Sequence, residues 1–306
     1  MRSSTLRAVA AHLPSSPGVY RFRDADDDVL YLGRATRLRR RVASYGGDLR
    51  DRRHLAPMVA RIARVEAVVC DSAHEAAWLE RNLLEHRLAD WNRTPGGQEV
   101  PAYVRLDGRR TAPGLTVVHI PAAAAVGVRH FGPYLGGEKV RLAVAALHRV
   151  LPLAYTGTGL GGSERDMAGK RGVGPGDRDA LVAALTAVLE RDPAAVASVR
   201  GDLEVRRNRA AEVLAFELAA RLQSEIHGIE WITSPQRVTQ AEPCDVDVAG
   251  WAEGLAVRFQ IRAGRLRAWS QHPCAYADAR QHLAATPPAW VDFAQRNAEL
   301  AARLAR

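Results

Sequence analysis

The chain has 306 residues, 47% of them hydrophobic, enough for about two domains with real cores. No stretch approaches the ~20 apolar residues of a membrane span, and the interrupted apolar run of MRSSTLRAVAAHLPSSP is too short for a secretory signal, so a cytoplasmic protein with no membrane partner is expected. The net charge of +9 and pI of about 10.1 suit nucleic acid but also fit mere arginine richness, and the cysteines (Cys70, Cys244, Cys274) form no CxxC pair, which leaves zinc, an iron–sulfur cluster and a disulfide framework unsupported.

GVYRF (18–22) and VLYLG (29–33) read as strands of a hairpin, joined by the five residues Asp24–Asp28. That acidic turn lacks the Gly and distal Glu of a calcium loop and is read as solvated. A basic helix follows over 36–45, then a helix over 54–62 and a strand over 65–70. Ser72 opens a helix reaching about Leu88, with Glu75 three residues on as in a capping box. Pro95-Gly96-Gly97 marks a boundary. Residues 102–120 read as a strand pair, and Phe131-Gly132-Pro133-Tyr134 leads to a helix over 140–151. The Gly-rich stretch at 156–176 reads as a loop, without the GK[ST] ending of a phosphate cradle. A helix at 178–191 and a helical hairpin at 204–231 follow, then strands at 255–261 and 265–269 and a helix at 290–304.

Helical periodicity places Glu80 on one face with Ala76, Leu79, Leu83 and Leu84. A carboxylate there must be ion-paired or hold a cation, and both readings stay open. In the basic helix, Leu38, Arg41, Val42 and Tyr45 share an inward face, and the i,i+4 spacing lets Arg41 and Tyr45 address one site. Arg34, Arg37, Arg39, Arg40 and Arg41 fall within eight residues, with Arg50, Arg52 and Arg53 close behind. Arg37, Arg39 and Arg40 are candidates for DNA contacts. Tyr20 and Tyr31 lie on neighbouring strands whose register the sequence leaves open. Two tyrosines beside an arginine helix suit chemistry on a phosphodiester. His54, His74 and His86 lack zinc spacing and are read as surface or packing residues.

The tripeptides GVY and YLG, at this spacing and followed by this helix, resemble the GIY-YIG nuclease signature. More narrowly, LPSSPGVYRF, VLYLGRATRLRRRVASY, VEAVVCDSAHEAAWLERNLLEHRLADWN, FGPY and AFELAARL resemble the N-terminal part of UvrC, the incision subunit of bacterial nucleotide excision repair. The resemblance implies an α/β fold: a GIY-YIG nuclease domain of a small antiparallel sheet flanked by helices, a helical UVR hairpin, and a small C-terminal β/α segment. The corresponding divisions are 1–97 (nuclease), 98–155 (FGPY extension), 156–177 (Gly-rich linker), 178–236 (helical, UVR motif at 204–231) and 237–306 (connector remnant).

The resemblance carries the two motif tyrosines onto Tyr20 and Tyr31, the helix arginine onto Arg41, the tyrosine after it onto Tyr45, the metal-binding glutamate onto Glu80 and the supporting asparagine onto Asn92. Arg34 stands where the family usually has lysine; it keeps the charge but cannot act as a base. The implied mechanism is hydrolysis of one phosphodiester bond with one Mg²⁺ or Mn²⁺ on Glu80, and with a tyrosine, Tyr20 by preference, taking the proton of the attacking water after nearby cations lower its pKa. Phe216 and Glu217 fall where the family's UVR motif docks on UvrB.

The family's cysteine cluster, second nuclease and paired helix-hairpin-helix clamp have no counterpart in this sequence, a layout resembling the short UvrC homologue Cho. The implied activity is one incision, 3′ to the lesion, in damaged double-stranded DNA. Two rival readings remain: a non-catalytic UvrB-binding regulator, which Arg34 alone favours, and a GIY-YIG nuclease on other branched DNA.

Overall fold

The computed structural model describes residues 3–47, 54–93, 99–123, 125–240 and 243–306. Arg50, Arg52, Arg53 and the boundary at Pro95-Gly96-Gly97 lie outside them. The chain divides into two compact units, 1–98 together with 235–306, and 99–234. The segment 237–306, expected as a connector, therefore shares a unit with the motif-bearing N-terminal residues.

In the first unit, helix α1 (Ser3–Ala11) precedes strands β1 (Gly18–Arg23) and β2 (Val29–Ala35), helices α2 (Leu38–Ala43) and α3 (Ala56–Arg61), strand β3 (Arg64–Val69) and helix α4 (Ala73–His86). The antiparallel sheet has the order β2-β1-β3. Asp24 holds the hairpin turn, accepting the N–H groups of Asp26 (3.2 Å) and Asp28 (3.0 Å) and pairing with Arg61. Gly18 is dictated by packing: a Cβ there would stand 2.2 Å from the Val68 carbonyl and 2.7 Å from Leu38. Ser72 caps α4 by accepting the Glu75 N–H at 2.9 Å. Glu75, in turn, accepts the N–H groups of Asp71 (2.6 Å) and Arg237 (2.8 Å). The expected capping box is thus shifted by one residue on its return side.

The C-terminal part adds a second antiparallel sheet of β7 (Val246–Ala252), β8 (Leu255–Arg262) and β9 (Arg265–Pro273), with helices α10 (Tyr276–Ala284) and α11 (Pro288–Ala305). Strand β7 and helix α10 were not expected. Asn297 on α11 accepts the Val69 N–H at 2.7 Å and donates to the Val69 carbonyl at 3.2 Å, so α11 continues the bonding of β3. Leu300 of α11 joins the core formed by Leu6, Tyr20, Phe22, Leu38, Tyr45 and Met58.

The second unit has the sheet order β5-β4-β6, from β4 (Ala102–Asp107), β5 (Gly114–Val118) and β6 (Val128–Tyr134). The FGPY tetrad closes β6, a strand the sequence reading missed. Helix α5 (Gly137–Val150) follows. The stretch at 156–177, expected as a linker, contains helix α6 (Gly162–Arg171), in which Glu164 accepts the Gly161 N–H at 2.7 Å and Gly172 ends the helix at φ 64°. After α7 (Arg178–Leu189), α8 (Pro193–Glu212) and α9 (Phe216–Thr233) form the helical hairpin. Helix α8 starts well before residue 204 because Asp192 caps the Ala195 N–H (2.8 Å) ahead of Pro193. Inner residues of α9 (Leu222, Ile226, Ile229, Ile232) enter the core, and Glu225, fully buried, accepts two bonds of 2.7 Å from Arg149 of α5. The outer end differs: Val213, Leu214 and Phe216 are each about two-thirds or more exposed.

Candidate active site

Strand alternation builds the site. Tyr20 pairs with Gly33, and Phe22 with Tyr31, so Tyr20 and Tyr31 sit diagonally on one face of the sheet, ring centroids 6.2 Å apart. Tyr45 reaches the same place from the 3₁₀ turn (Ser44–Gly46) that continues α2. Its hydroxyl lies 2.8 Å from that of Tyr20, and it also hydrogen-bonds Tyr31. Arg41 donates Nε to the Tyr20 hydroxyl at 3.2 Å, and its guanidinium lies 5.3 Å from the Tyr45 ring centre. The i,i+4 pair of the basic helix therefore addresses one site, as its spacing suggested.

Gly33 makes this packing achievable. A Cβ there would fall 2.7 Å from the Tyr20 hydroxyl and 2.8 Å from Tyr31 Cε1. Its role was invisible in sequence because it depends on Gly33 facing Tyr20.

Glu80, on α4, accepts the backbone N–H of Arg34 at 3.0 Å and pairs with Arg34 Nε at 3.3 Å. Its negative field reaches Tyr31 and raises that phenol. The carboxylate, the phenols and Arg41 thus meet in one neighbourhood. Asn92 stands behind β2. Its Oδ1 accepts the Leu32 N–H at 2.9 Å and its Nδ2 donates to the Leu32 carbonyl at 2.8 Å, which fixes the backbone between Tyr31 and Gly33.

Arg34, Arg37, Arg40 and Arg41 line an open cleft of about 680 Å³. Arg39, although exposed, is not among the residues lining it; its Nε donates to the Leu13 carbonyl at 2.7 Å. Phe216 and Glu217 belong to the other unit and are exposed.

Ionisation runs against the sequence reading. Burial, reinforced by the neighbouring Tyr45 and Tyr31, pushes Tyr20 far above the ordinary phenol value, and Arg41 only partly offsets this. Tyr31 is raised to about 12, chiefly by burial and then by Tyr45. Tyr20 is also fully shielded from water, whereas Tyr31 is only partly buried. Tyr20 is thus the interior member of the phenol cluster and Tyr31 the more accessible one.

For a divalent cation the donors fit in a limited way. No group of three or more His, Cys, Asp or Glu side chains capable of holding a metal occurs among the described residues. Glu80 offers one partly exposed carboxylate beside the cleft. One carboxylate suits an ion that keeps several waters and takes its remaining oxygens from a phosphate, as Mg²⁺ and Mn²⁺ do.

Residues 16–92 match the family described as the UvrC-like GIY-YIG domain. The UvrABC system protein C of Acaryochloris marina is 30% identical over 276 residues, covering 85% of this chain and 44% of that protein. The protein of the same name from Aromatoleum aromaticum is 29% identical over 318 residues, covering 97% and 51%. The chain thus spans about half the length of these curated relatives, or less. The magnesium-bound GIY-YIG N-terminal endonuclease domain of UvrC from Thermotoga maritima is 28% identical with a TM-score of 0.26, covering 29% of this chain and 97% of that domain. Residues 16–92 are a GIY-YIG domain of the UvrC type. Among the described residues, no helix is long and apolar enough to cross a membrane.

Proposed function

We propose that this chain is a metal-dependent, structure-specific DNA endonuclease of nucleotide excision repair, a short UvrC relative of the Cho type. It makes a single incision, 3′ to the lesion in damaged double-stranded DNA, and is recruited through UvrB. The observation that carries this reading is the meeting of Tyr31, Tyr45, Arg41 and the Arg34–Glu80 pair beside a cleft lined by arginines.

Arg37 and Arg40 would hold the DNA backbone, and Arg34 and Arg41 would face the scissile phosphate, where guanidinium forks match phosphate oxygens. Glu80 would hold Mg²⁺ or Mn²⁺, which supplies positive charge to the phosphate when bound. Arg34 must then turn from Glu80 towards the phosphate. Tyr31, the less buried motif tyrosine, orients the attacking water; to accept its proton Tyr31 must first be ionised, which requires the charge of the bound cation and of Arg41 to overcome the burial that raises its phenol. Tyr20 and Tyr45 fix the Tyr31 hydroxyl and Arg41 through their hydrogen bonds. Asn92 is a positioning residue, acting through the backbone of Leu32. Partner docking rests on the exposed apolar end of the α8–α9 hairpin, with Phe216 and Glu217 as the contacts.

One observation favours a second reading, a non-catalytic UvrB-binding regulator: Arg34 already neutralises the carboxylate that a cation needs. A nicking assay separates the two. End-labelled, lesion-bearing duplex is incubated with Mg²⁺ and the damage-recognition proteins, using wild type, Glu80→Ala and Tyr31→Phe. Partner-dependent cleavage by wild type, lost in both variants, supports the nuclease. Retained UvrB binding without cleavage by wild type supports the regulator.

A further inference from the structure

On the face of the β2-β1-β3 sheet opposite the phenols lies a second cavity, of about 240 Å³. Strand alternation puts Arg21, between Tyr20 and Phe22, on that side. The cavity is lined by Arg21, Arg23, His86, Arg87, Arg267 and Trp269, with no acidic residue among its lining.

The nearest acids are already engaged. Glu66 is paired with Arg21 and with Arg23 (3.0 Å), and Glu85 with Arg267 (3.0 Å) and Arg265 (3.4 Å). Asp28 is 3.8 Å from Arg87. Arg21 is 6% exposed and Trp269 4% exposed. Arg21 stacks its guanidinium 3.9 Å from the Trp269 ring centre and donates Nη1 to the Trp269 carbonyl at 2.9 Å. Its Nη2 and the Trp269 Nε1 are buried donors with no partner among the described residues. Buried donors are ordinarily satisfied, so two orphans on residues that line one cationic cavity ask for an acceptor, which a small side-chain adjustment would let them reach. The apolar part of the wall, Leu32 and Leu83, would meet a less polar group attached to that acceptor.

We infer that this cavity is a binding site for the phosphate group of a nucleotide, either free or at the end of a nucleic-acid strand. Guanidinium forks and an indole N–H, all donors, match phosphate oxygens and offer nothing to a cation. The volume is below the ~300 Å³ usual for drug-sized ligands, and suits a phosphate with its sugar. This site is separate from the arginine cleft of the phenol face, and the inference does not depend on the nuclease reading.

The test is equilibrium titration of the full chain with inorganic phosphate, thymidine 5′-monophosphate and a 5′-phosphorylated oligonucleotide, read by tryptophan quenching and by ³¹P line broadening. Saturable binding is expected. It should weaken at least tenfold in Arg87→Ala and in Arg267→Ala. Trp269→Phe should lose the quenching and weaken the ³¹P-detected binding, and Arg37→Ala/Arg40→Ala reports whether the monophosphate sits in the arginine cleft instead. Saturation by the monophosphate identifies a free nucleotide as sufficient; saturation by the oligonucleotide alone identifies the strand end. The inference is overturned if none of the three saturates at millimolar concentration. It is also overturned if binding survives Trp269→Phe and Arg267→Ala but is lost in the Arg37/Arg40 variant.

Discussion

Replacing Gly33 by alanine should disable the phenol cluster without changing its chemistry. The new Cβ would stand 2.7 Å from the Tyr20 hydroxyl, 2.8 Å from Tyr31 Cε1 and 2.9 Å from Tyr20 Cζ, where ordinary contact begins at 3.4 Å. Tyr20 must retreat by about 0.7 Å, the shortfall from ordinary contact. It has no free space to enter, since it is fully buried with Phe22 at 5.3 Å and Tyr45 at 6.0 Å between ring centres. The retreat therefore strains its bonds to Tyr45 (2.8 Å) and Arg41 (3.2 Å). Overpacking of this kind costs about 1–3 kcal/mol, and alanine recovers about 0.5–1 kcal/mol of backbone entropy over glycine. The net is a destabilisation of about 1–2 kcal/mol, a melting-point drop of several degrees. On the proposed nuclease reading, a displacement approaching 1 Å should lower the nicking rate roughly 10²-fold. The assay is thermal melting with the lesion-duplex nicking reaction, using Gly47→Ala as control, whose Cβ meets nothing closer than 3.5 Å. A Gly33→Ala protein that melts and nicks like wild type would refute the reasoning.

Asn92→Ala removes both bonds to Leu32 and should cost about 1–3 kcal/mol, with faster exchange of the Leu32 amide while α4 stays protected; unchanged Leu32 exchange would contradict the clamp. Arg34→Lys shortens the reach to Glu80 and gives up guanidinium geometry, so Mn²⁺ should bind more tightly by direct titration; equal or weaker binding counts against competition between Arg34 and the ion. Arg149→Met leaves the buried Glu225 only the largely exposed Arg221, 3.4 Å away, and should destabilise the second unit by up to about 3–5 kcal/mol, with part of the loss restored by adding Glu225→Gln. The pH dependence follows from the phenols. Tyr31 and Tyr134 are raised to about 12, mainly by burial, and burial also raises Tyr20 well above the ordinary phenol value. Above pH 10 the unfolded chain loses phenol protons that the folded one keeps, so stability falls as pH climbs from 10 to 12. Tyr134 alone accounts for up to about 3 kcal/mol, and the less buried Tyr31 for less. Phenolate absorbance at pH 11 should show Tyr20, Tyr31 and Tyr134 still protonated; ordinary titration of all seven tyrosines would sink this account.

What the sequence revealed was local. The β1–β2 hairpin, the Ser72 cap and the Arg41/Tyr45 spacing each depend on residues a few positions apart, where periodicity and capping chemistry act directly. Register was not legible: period-two alternation shows which residues share a face, but not that Gly33 lies opposite Tyr20. Tyrosine ionisation was misjudged for a related reason. The arginines beside Tyr20 are visible in sequence, whereas the desolvation that outweighs them comes from packing against Phe22, Leu38 and Met58. Strands β6 and β7 escaped notice because Gly, Pro, His or Asp interrupt their apolar pattern and partner strands rather than propensity hold them. The same limit hid Asn297, which satisfies Val69 from 228 positions away.

Strand β1 ties these observations together. Tyr20 and Phe22 supply the phenol face, while Arg21 and Arg23 project to the other side, where Glu66 of β3 pairs with both. A slip of one residue would exchange the faces, burying two guanidiniums in the aromatic core and exposing the phenols. The Arg21–Trp269 stack and the Asn297 bonds to Val69 both come from the C-terminal segment, and both oppose that slip. The residues after 235 thus set the register on which the arrangement of Tyr20, Tyr31 and Arg41 depends. Cutting them away should therefore disturb the phenol cluster itself, although the cluster's own hydrogen bonds run among Tyr20, Tyr31, Arg41 and Tyr45.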